Sequence, residues 1–256
     1  GALIKRWDHW QFSTTIMITG RTPGIEDLFS DGPHLGSYSY EIGNPTLGLE
    51  KTLGLESSVQ YQKERFSFLL NGFFNQSPNF HQYMKMGDGY VPGSDWIEWG
   101  SGSTGWLYKY QMRGIETEIS GGELQLGYKG RAIDVTTEFS VVRGKDKTNN
   151  EYVGYMPADK IGILISTKST NDFSGSIRLS RVLDQNRLSE FETMTPGYSL
   201  VDIFGSYSFE SRSGSHRIVF QLNNLFDETY YNHLSKIKSI MPETGRSMGV
   251  QYRYLF

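Results

Sequence analysis

Alternation constrains this chain more than any other property of its sequence. Near the end of the chain, Met248, Val250, Tyr252, Tyr254 and Phe256 fall on one side of an extended backbone, and Ser247, Gly249, Gln251 and Arg253 fall on the other. Leu255 is the one exception. A period of two belongs to a β-strand, because successive side chains point to opposite faces. At roughly 3.3 Å per residue, about 12 residues tilted by about 40° cover roughly 30 Å, the thickness of a bilayer's hydrocarbon core. One face carries Tyr, Tyr and Phe, suited to lipid, and the other carries Arg and Gln, suited to water. A soluble sheet would need both faces covered to keep such a strand. Nowhere does an apolar run approach the roughly 20 residues of a spanning helix.

The same pattern recurs along the chain. Trp10, Phe12, Thr14, Ile16 and Ile18 share a face, as do Leu53, Leu55, Ser57, Val59 and Tyr61. Ile133, Val135, Thr137, Phe139 and Val141 alternate with Asp134, Thr136, Glu138 and Ser140, and further strands are expected over 66–74, 161–165, 175–179, 198–209 and 217–226. From Tyr110 to Tyr128 the reading places Ile115, Thr117 and Ile119 opposite Glu116 and Glu118, with a kink at Gly121-Gly122. Short turns are expected at Lys5–His9, Gln62–Arg65, Lys129–Arg131, Thr170–Asp172 and Ser211–Ser215, and long loops at 21–50, 77–108, 144–159, 183–196 and 227–244. Tight turns at one end and long loops at the other are how outer-membrane barrels are connected. The expected fold is therefore all-β, a transmembrane antiparallel β-barrel wall of about ten strands. Glu56, Glu116, Glu118, Asp134, Glu138, Arg178 and Arg181 are expected to line its water-filled lumen. Gly1 to Ile4 reads as the tail of a strand, and Gly1 to Trp7 lacks the regions of a signal peptide, so the expectation is a processed or partial chain.

Composition narrows the function. The net charge of −3 gives no electrostatic footprint for nucleic acid. The 29 Gly and an aromatic fraction of 14 % fit a barrel with aromatic girdles. With 0 Cys, disulfides, thiolate metal sites and cysteine catalysis are all excluded.

Four passages stand out: Arg21-Thr22-Pro23 to Asp31-Gly32-Pro33-His34; Tyr40-Glu41-Ile42-Gly43-Asn44-Pro45-Thr46-Leu47 to Glu50; Gly114-Ile115-Glu116-Thr117-Glu118; and Asn223-Asn224-Leu225-Phe226-Asp227 with Pro242-Glu243-Thr244-Gly245-Arg246. In this order they resemble TonB-dependent outer-membrane receptors over nearly the whole chain, with a flavour of the zinc, haem and siderophore branch around Asp31–His34 and Glu192–Gly197. Asp27 interrupts the first segment and Glu50 closes the second one residue early, so both matches are approximate. The resemblance implies that residues 1–256 form the carboxyl-terminal part of a 22-strand barrel in the outer membrane of a Gram-negative cell. It implies that the first strands, the plug and the contact with TonB lie elsewhere, on a separate chain or on the front of a longer one. It also implies import of a metal or metal chelate, carried as substrate, with no resident cofactor. Phe256, with Tyr252 and Tyr254, would then serve as the assembly address.

Ligand contacts are expected from His34 and Glu41 in the first long loop, from His81, Met84, Met86, Tyr90, Trp96 and Trp99 in the second, and from Arg187 in the fourth. Aromatic and Met side chains suit a planar chelate, and His34 and His81 are the candidate metal contacts. Two rivals share the β-barrel reading. One is a small closed barrel acting as a passive porin. The other is a rim-site protease using Asp27, Asp31 and His34, which lacks a second Asp pair across the rim.

Overall fold

The computed structural model describes residues 1–99, 105–167 and 172–256. The strands are β1 (Ala2–Trp7), β2 (Trp10–Arg21), β3 (Asp31–His34), β4 (Ser39–Ile42), β5 (Glu50–Lys63), β6 (Phe66–Lys85), β7 (Trp96–Glu98), β8 (Trp106–Lys129), β9 (Ile133–Asp146), β10 (Glu151–Tyr152), β11 (Lys160–Thr167), β12 (Phe173–Val182), β13 (Tyr198–Ser211), β14 (Gly214–Asn223) and β15 (Ser247–Leu255). Eleven of them form one wall in the order β1-β2-β5-β6-β8-β9-β11-β12-β13-β14-β15, each antiparallel to the next. The other four are short and lie beside the long loops. One helix, α1 (Ile25–Phe29), and a 3-10 turn at Leu35–Ser37 complete the elements. Within the described residues, β1 pairs only with β2 and β15 only with β14. The closed small barrel, which would need β15 to pair with β1 or β2, is not formed among the described residues.

Register shows why the sequence alternates. Phe12, Val59, Leu70, Leu124, Phe139 and Ile161 lie side by side across β2, β5, β6, β8, β9 and β11. Large apolar residues on this outer face, including Ile16, Leu55, Leu70, Phe139 and Ile177, are exposed to their surroundings. On the inner face Asn71, Glu123, Gln125, Glu138, Ser140 and Lys160 line one polar recess, and Glu56 lines the next. Arg178 pairs with Glu138 there at 3.4 Å. Near the short turns the outer face becomes aromatic: Trp10 lies 4.6 Å from Tyr61, Phe66 lies 5.0 Å from Tyr128, and His216 stacks on Phe209 at 4.6 Å and on Tyr254 at 4.9 Å. An apolar band ending in an aromatic belt is the outer surface of a membrane barrel.

Several expectations need correction. The first turn is only Asp8-His9, because β1 continues to Trp7 opposite Trp10. The second long loop spans 86–105 rather than 77–108, since β6 and β8 continue paired up to Lys85 and Tyr110. The register passes Gly121 and Gly122 unbroken; the irregularity falls between Ser77 and Phe80, at Pro78, which has no N–H to give the ladder. Glu116 and Glu118 share the outer row with Leu124 and Leu126, and Arg181 shares one with Leu179, so these three charges do not face the lumen. Ile115 and Thr117 turn inward, 3 % and 1 % exposed. The turn expected at Thr170–Asp172 lies largely outside the described residues.

A buried core forms only beyond the membrane band, where water on both faces makes apolar packing favourable. Leu107, Tyr110, Met112 and Ile115 on β8 and Val153 in the third long loop are its apolar members among the described residues.

Candidate functional site

The first long loop is a folded unit, and the sequence motifs are its braces. Arg21 Nη2 donates to Glu50 Oε2 at 2.9 Å, tying the loop's two ends together, and the backbone N–H of His81 donates to the same oxygen at 2.8 Å. Gly43 passes against α1, where a Cβ would come within 2.5 Å of the Leu28 carbonyl carbon, so only glycine fits. Its N–H donates to Ser30 O at 2.7 Å, and Asn44 N donates to Asp27 O at 2.8 Å. These contacts fix the hairpin β3–β4, which docks on β8 through a parallel pairing of Ser39–Ile42 with Tyr108–Gln111.

His34 stands at the tip of that hairpin with its side chain 63 % exposed. Its Nδ1 bonds the Ser37 hydroxyl, which is 2.6 Å from the Ser39 hydroxyl; Ser39 in turn donates to Glu41 Oε1 at 3.0 Å. With Ser39 donating to Glu41, the chain is satisfied when Nδ1 carries the proton and Nε2 the lone pair, and Nε2 has no partner among the described residues. Metal-binding histidines have this arrangement, with the outer nitrogen open and the inner one held. Glu41 also accepts from Lys236 Nζ at 3.1 Å, and that ammonium lies 5.0 Å from the Tyr110 ring and 5.4 Å from the Tyr83 ring.

An aromatic group adjoins the hairpin. His34 is in register with Ser39, Ser39 with Tyr108, and Tyr108 with Trp96. Tyr38, at φ 52, closes the turn and meets Trp106 edge-on at 5.9 Å. Trp106 meets Tyr108 at 4.7 Å, Trp99 lies 6.0 Å from Tyr40, and Lys85 Nζ sits 3.9 Å over the Tyr108 ring. The Tyr40 hydroxyl donates to Asp31 Oδ1 at 2.8 Å, and that bond, with burial, raises its pKa.

The structure thus brings His34, Glu41, Trp96 and Trp99 to one rim, with Tyr90 84 % exposed nearby on the β6–β7 loop. Met84 and Met86 are half-buried at the top of β6. His81 is elsewhere: its side chain is 0 % exposed, with Nε2 at 2.9 Å from Gly48 O, so it braces the wall rather than meeting solvent. Arg187 donates to Asp159, which also takes Arg143, and is committed to that pairing. Tyr38, Tyr108, Lys85 and Lys236 were not expected. Alternating Trp106, Tyr108 and Tyr110 could have signalled an aromatic strand face; Lys236, 195 residues from Glu41, left no local signal. Among the described residues no group of three or more His, Asp or Glu could hold a metal ion. A rim with one open imidazole and many rings suits a metal that arrives already chelated.

The other long loops are joined over the wall by buried polar contacts. Glu192 Oε1 accepts from Tyr155 N at 2.8 Å, and its Oε2 accepts from Ser189 N and Oγ, both at 2.9 Å. His233 Nε2 lies 3.2 Å from Glu192 Oε1, and His233 Nδ1 lies 2.8 Å from Thr195 Oγ1. Burial alone would raise the Glu192 carboxyl, but His233 and these donors outweigh it and hold the group below its ordinary value. Lys238 donates to Thr193 O at 2.6 Å and Thr195 Oγ1 at 2.8 Å, and burial lowers its pKa.

Comparison with known proteins agrees with this architecture. Heme/hemopexin utilization protein C of Haemophilus influenzae is 24 % identical over 254 residues, covering 92 % of this chain and 35 % of the relative. The same protein from strain 86-028NP is also 24 % identical, with 92 % and 34 % covered. Among solved structures, the copper transporter OprC superposes with a TM-score of 0.74 at 19 % identity over 95 % of this chain and 37 % of its own. The siderophore receptor PirA of Acinetobacter baumannii gives 0.70 at 17 % identity over 100 % and 40 %. This chain therefore spans about a third of the curated relatives' length and shares the fold of these structures. Residues 5–225 match the TonB dependent receptor-like, beta-barrel family, and with an unbroken wall of antiparallel strands behind that match, the chain belongs to this family of receptor barrels rather than to any family of enzymes.

Proposed function

We propose that this chain is part of the wall and extracellular rim of an outer-membrane receptor that imports haem by TonB-dependent transport. The observation that carries the reading is His34: an exposed imidazole whose Nδ1 is held by a hydroxyl chain to Glu41, leaving Nε2 open toward solvent on the hairpin whose turn residue Tyr38 meets Trp106, which in turn meets Tyr108. An open imidazole nitrogen is an axial ligand for haem iron, and the rings offer apolar surface to a planar macrocycle. Relatives named for haem and hemopexin utilization support haem over the siderophores and copper named for the structural neighbours. The remaining strands, the plug and the TonB contact are supplied by sequence outside this chain. The free edges of β1 and β15 pair with those strands, because an open sheet edge is not viable in hydrocarbon.

The test is an absorbance titration of the full-length receptor in detergent with ferric protoporphyrin IX. Wild type should shift the Soret band on saturable binding, and His34→Ala should lose the ligation signature while the barrel stays heat-modifiable. An identical spectrum and affinity in His34→Ala would remove His34 from the site. A wild-type receptor that ignores haem but binds zinc or a ferric siderophore would redirect the substrate assignment.

A further inference from the structure

Lys85 differs from four other lysines at this end of the wall. Lys236 is paired with Glu41, Lys238 with Thr193 and Thr195, Lys109 with the carbonyl of Gly93, and Lys147 with Glu118. Lys85 is half-buried at the end of β6, 3.9 Å over the Tyr108 ring, with no oxygen acceptor among the described residues. A ring face attracts an ammonium but satisfies none of its three N–H donors. The neighbouring acids do not supply the acceptor. Asp95 Oδ2 takes the backbone N–H groups of Gly89 and Val91, and Asp88 Oδ1 takes that of Tyr90. Tyr108 is itself fixed, with Trp106 edge-on at 4.7 Å and Gly89, at φ 102, so close that a Cβ there would come within 2.7 Å of the ring. The ammonium is therefore positioned, with Asp88 and Asp95 acting on it through space and no oxygen accepting its N–H groups among the described residues.

Its position relative to His34 gives the partner a geometry. His34, Ser39 and Tyr108 lie in register on three adjacent strands. At about 4.8 Å per strand, the backbones of His34 and Tyr108 are roughly 10 Å apart, the scale that separates the central metal of a tetrapyrrole from its peripheral carboxylates. Resting on the haem reading above, we propose that Lys85 is a specificity-determining residue that anchors a carboxylate of the bound tetrapyrrole, so that the receptor prefers macrocycles carrying free acid side chains.

The experiment compares ferric protoporphyrin IX with its dimethyl ester, in which both carboxylates are blocked, by absorbance titration of the full-length receptor. Wild type should bind the free acid roughly tenfold or more tightly than the diester, as expected for loss of a charge-assisted contact. Lys85→Met should lose that preference by weakening the free acid alone, and Lys85→Arg should retain most of it. Equal binding of acid and diester by wild type overturns the anchor without any variant. Equal weakening of both ligands in Lys85→Met also overturns it, since that pattern means loss of structure. Absence of any haem binding by wild type overturns the haem reading itself, and the anchor with it.

Discussion

Placing an arginine at two successive positions of β9 tests the assignment of the wall's faces. Phe139 lies on the outer face between Leu124 and Ile161, and Ser140 lies on the inner face with Glu123, Gln125 and Glu138. Phe139 is the seventh residue of Ile133–Asp146, which starts just after a short turn. At roughly 3.3 Å per residue and a tilt of about 40°, it sits roughly 15 Å above that end of the strand, near the middle of the apolar band. Phe139→Arg puts a guanidinium in lipid at that depth, at a cost of about 2–4 kcal/mol, or roughly 30- to 900-fold in a folding equilibrium. Ser140→Arg puts the same group, one residue on, into a wet recess containing Glu123 and Glu138, and should cost close to nothing. The assay is the amount of heat-modifiable full-length receptor in outer-membrane fractions, followed by the midpoint of its urea unfolding in lipid vesicles. Phe139→Arg should be depleted and easier to unfold, and Ser140→Arg should match wild type. If the two variants behave alike, or Ser140→Arg is the worse, the outer row defined by Phe12, Leu70, Leu124, Phe139 and Ile161 does not face lipid.

Three further outcomes follow from the same geometry. Phe256→Asp adds a charge to the end of the closing strand and should sharply lower the inserted receptor, measured as heat-modifiable protein in membranes; normal levels would remove Phe256 from the assembly signal. Glu50→Gln strips the charge that holds Arg21 and the His81 N–H, for about 1–3 kcal/mol of local stability. Limited proteolysis within residues 22–49 should then accelerate, and an unchanged digestion rate would mean that the brace is dispensable. Glu192 has a lowered folded-state pKa, so its stabilisation is fully present above the ordinary value of 4.5 and lost as pH falls through the lower folded value. Protease resistance of the loops that it joins should hold down to about pH 5 and then fall, with the fall blunted in Glu192→Gln.

Much of the wall was legible because lipid on one face and water on the other impose a period of two, and Ile133 to Val141 displays that pattern almost without exception. The reading weakened where the bilayer ends. Above it both faces meet water, so Glu116 and Glu118 can sit on the row that Leu124 and Leu126 occupy lower down, while Ile115 and Thr117 turn inward to the loop core. The drop in outer-face hydrophobicity there looks like a loop, although the strands continue to Lys85 and Trp106. Gly121 looked like a kink, but its missing Cβ makes room for the Phe73 ring, which a side chain would meet at 2.5 Å. At the site, His34 and Glu41 were readable from their motif. The contact of Glu41 with Lys236 and the exposed apolar rim around Tyr38 and Trp106 depend on loops folding together, which no local pattern encodes.

The proposed function is energised haem import through a receptor whose rim includes His34. Its most direct test is uptake of haem labelled with radioactive iron by Gram-negative cells expressing the full-length receptor. Uptake should be saturable, stop when TonB is depleted and drop strongly in His34→Ala at equal receptor levels. Uptake that rises linearly with haem concentration and persists without TonB would contradict it and would mark the barrel as a passive pore.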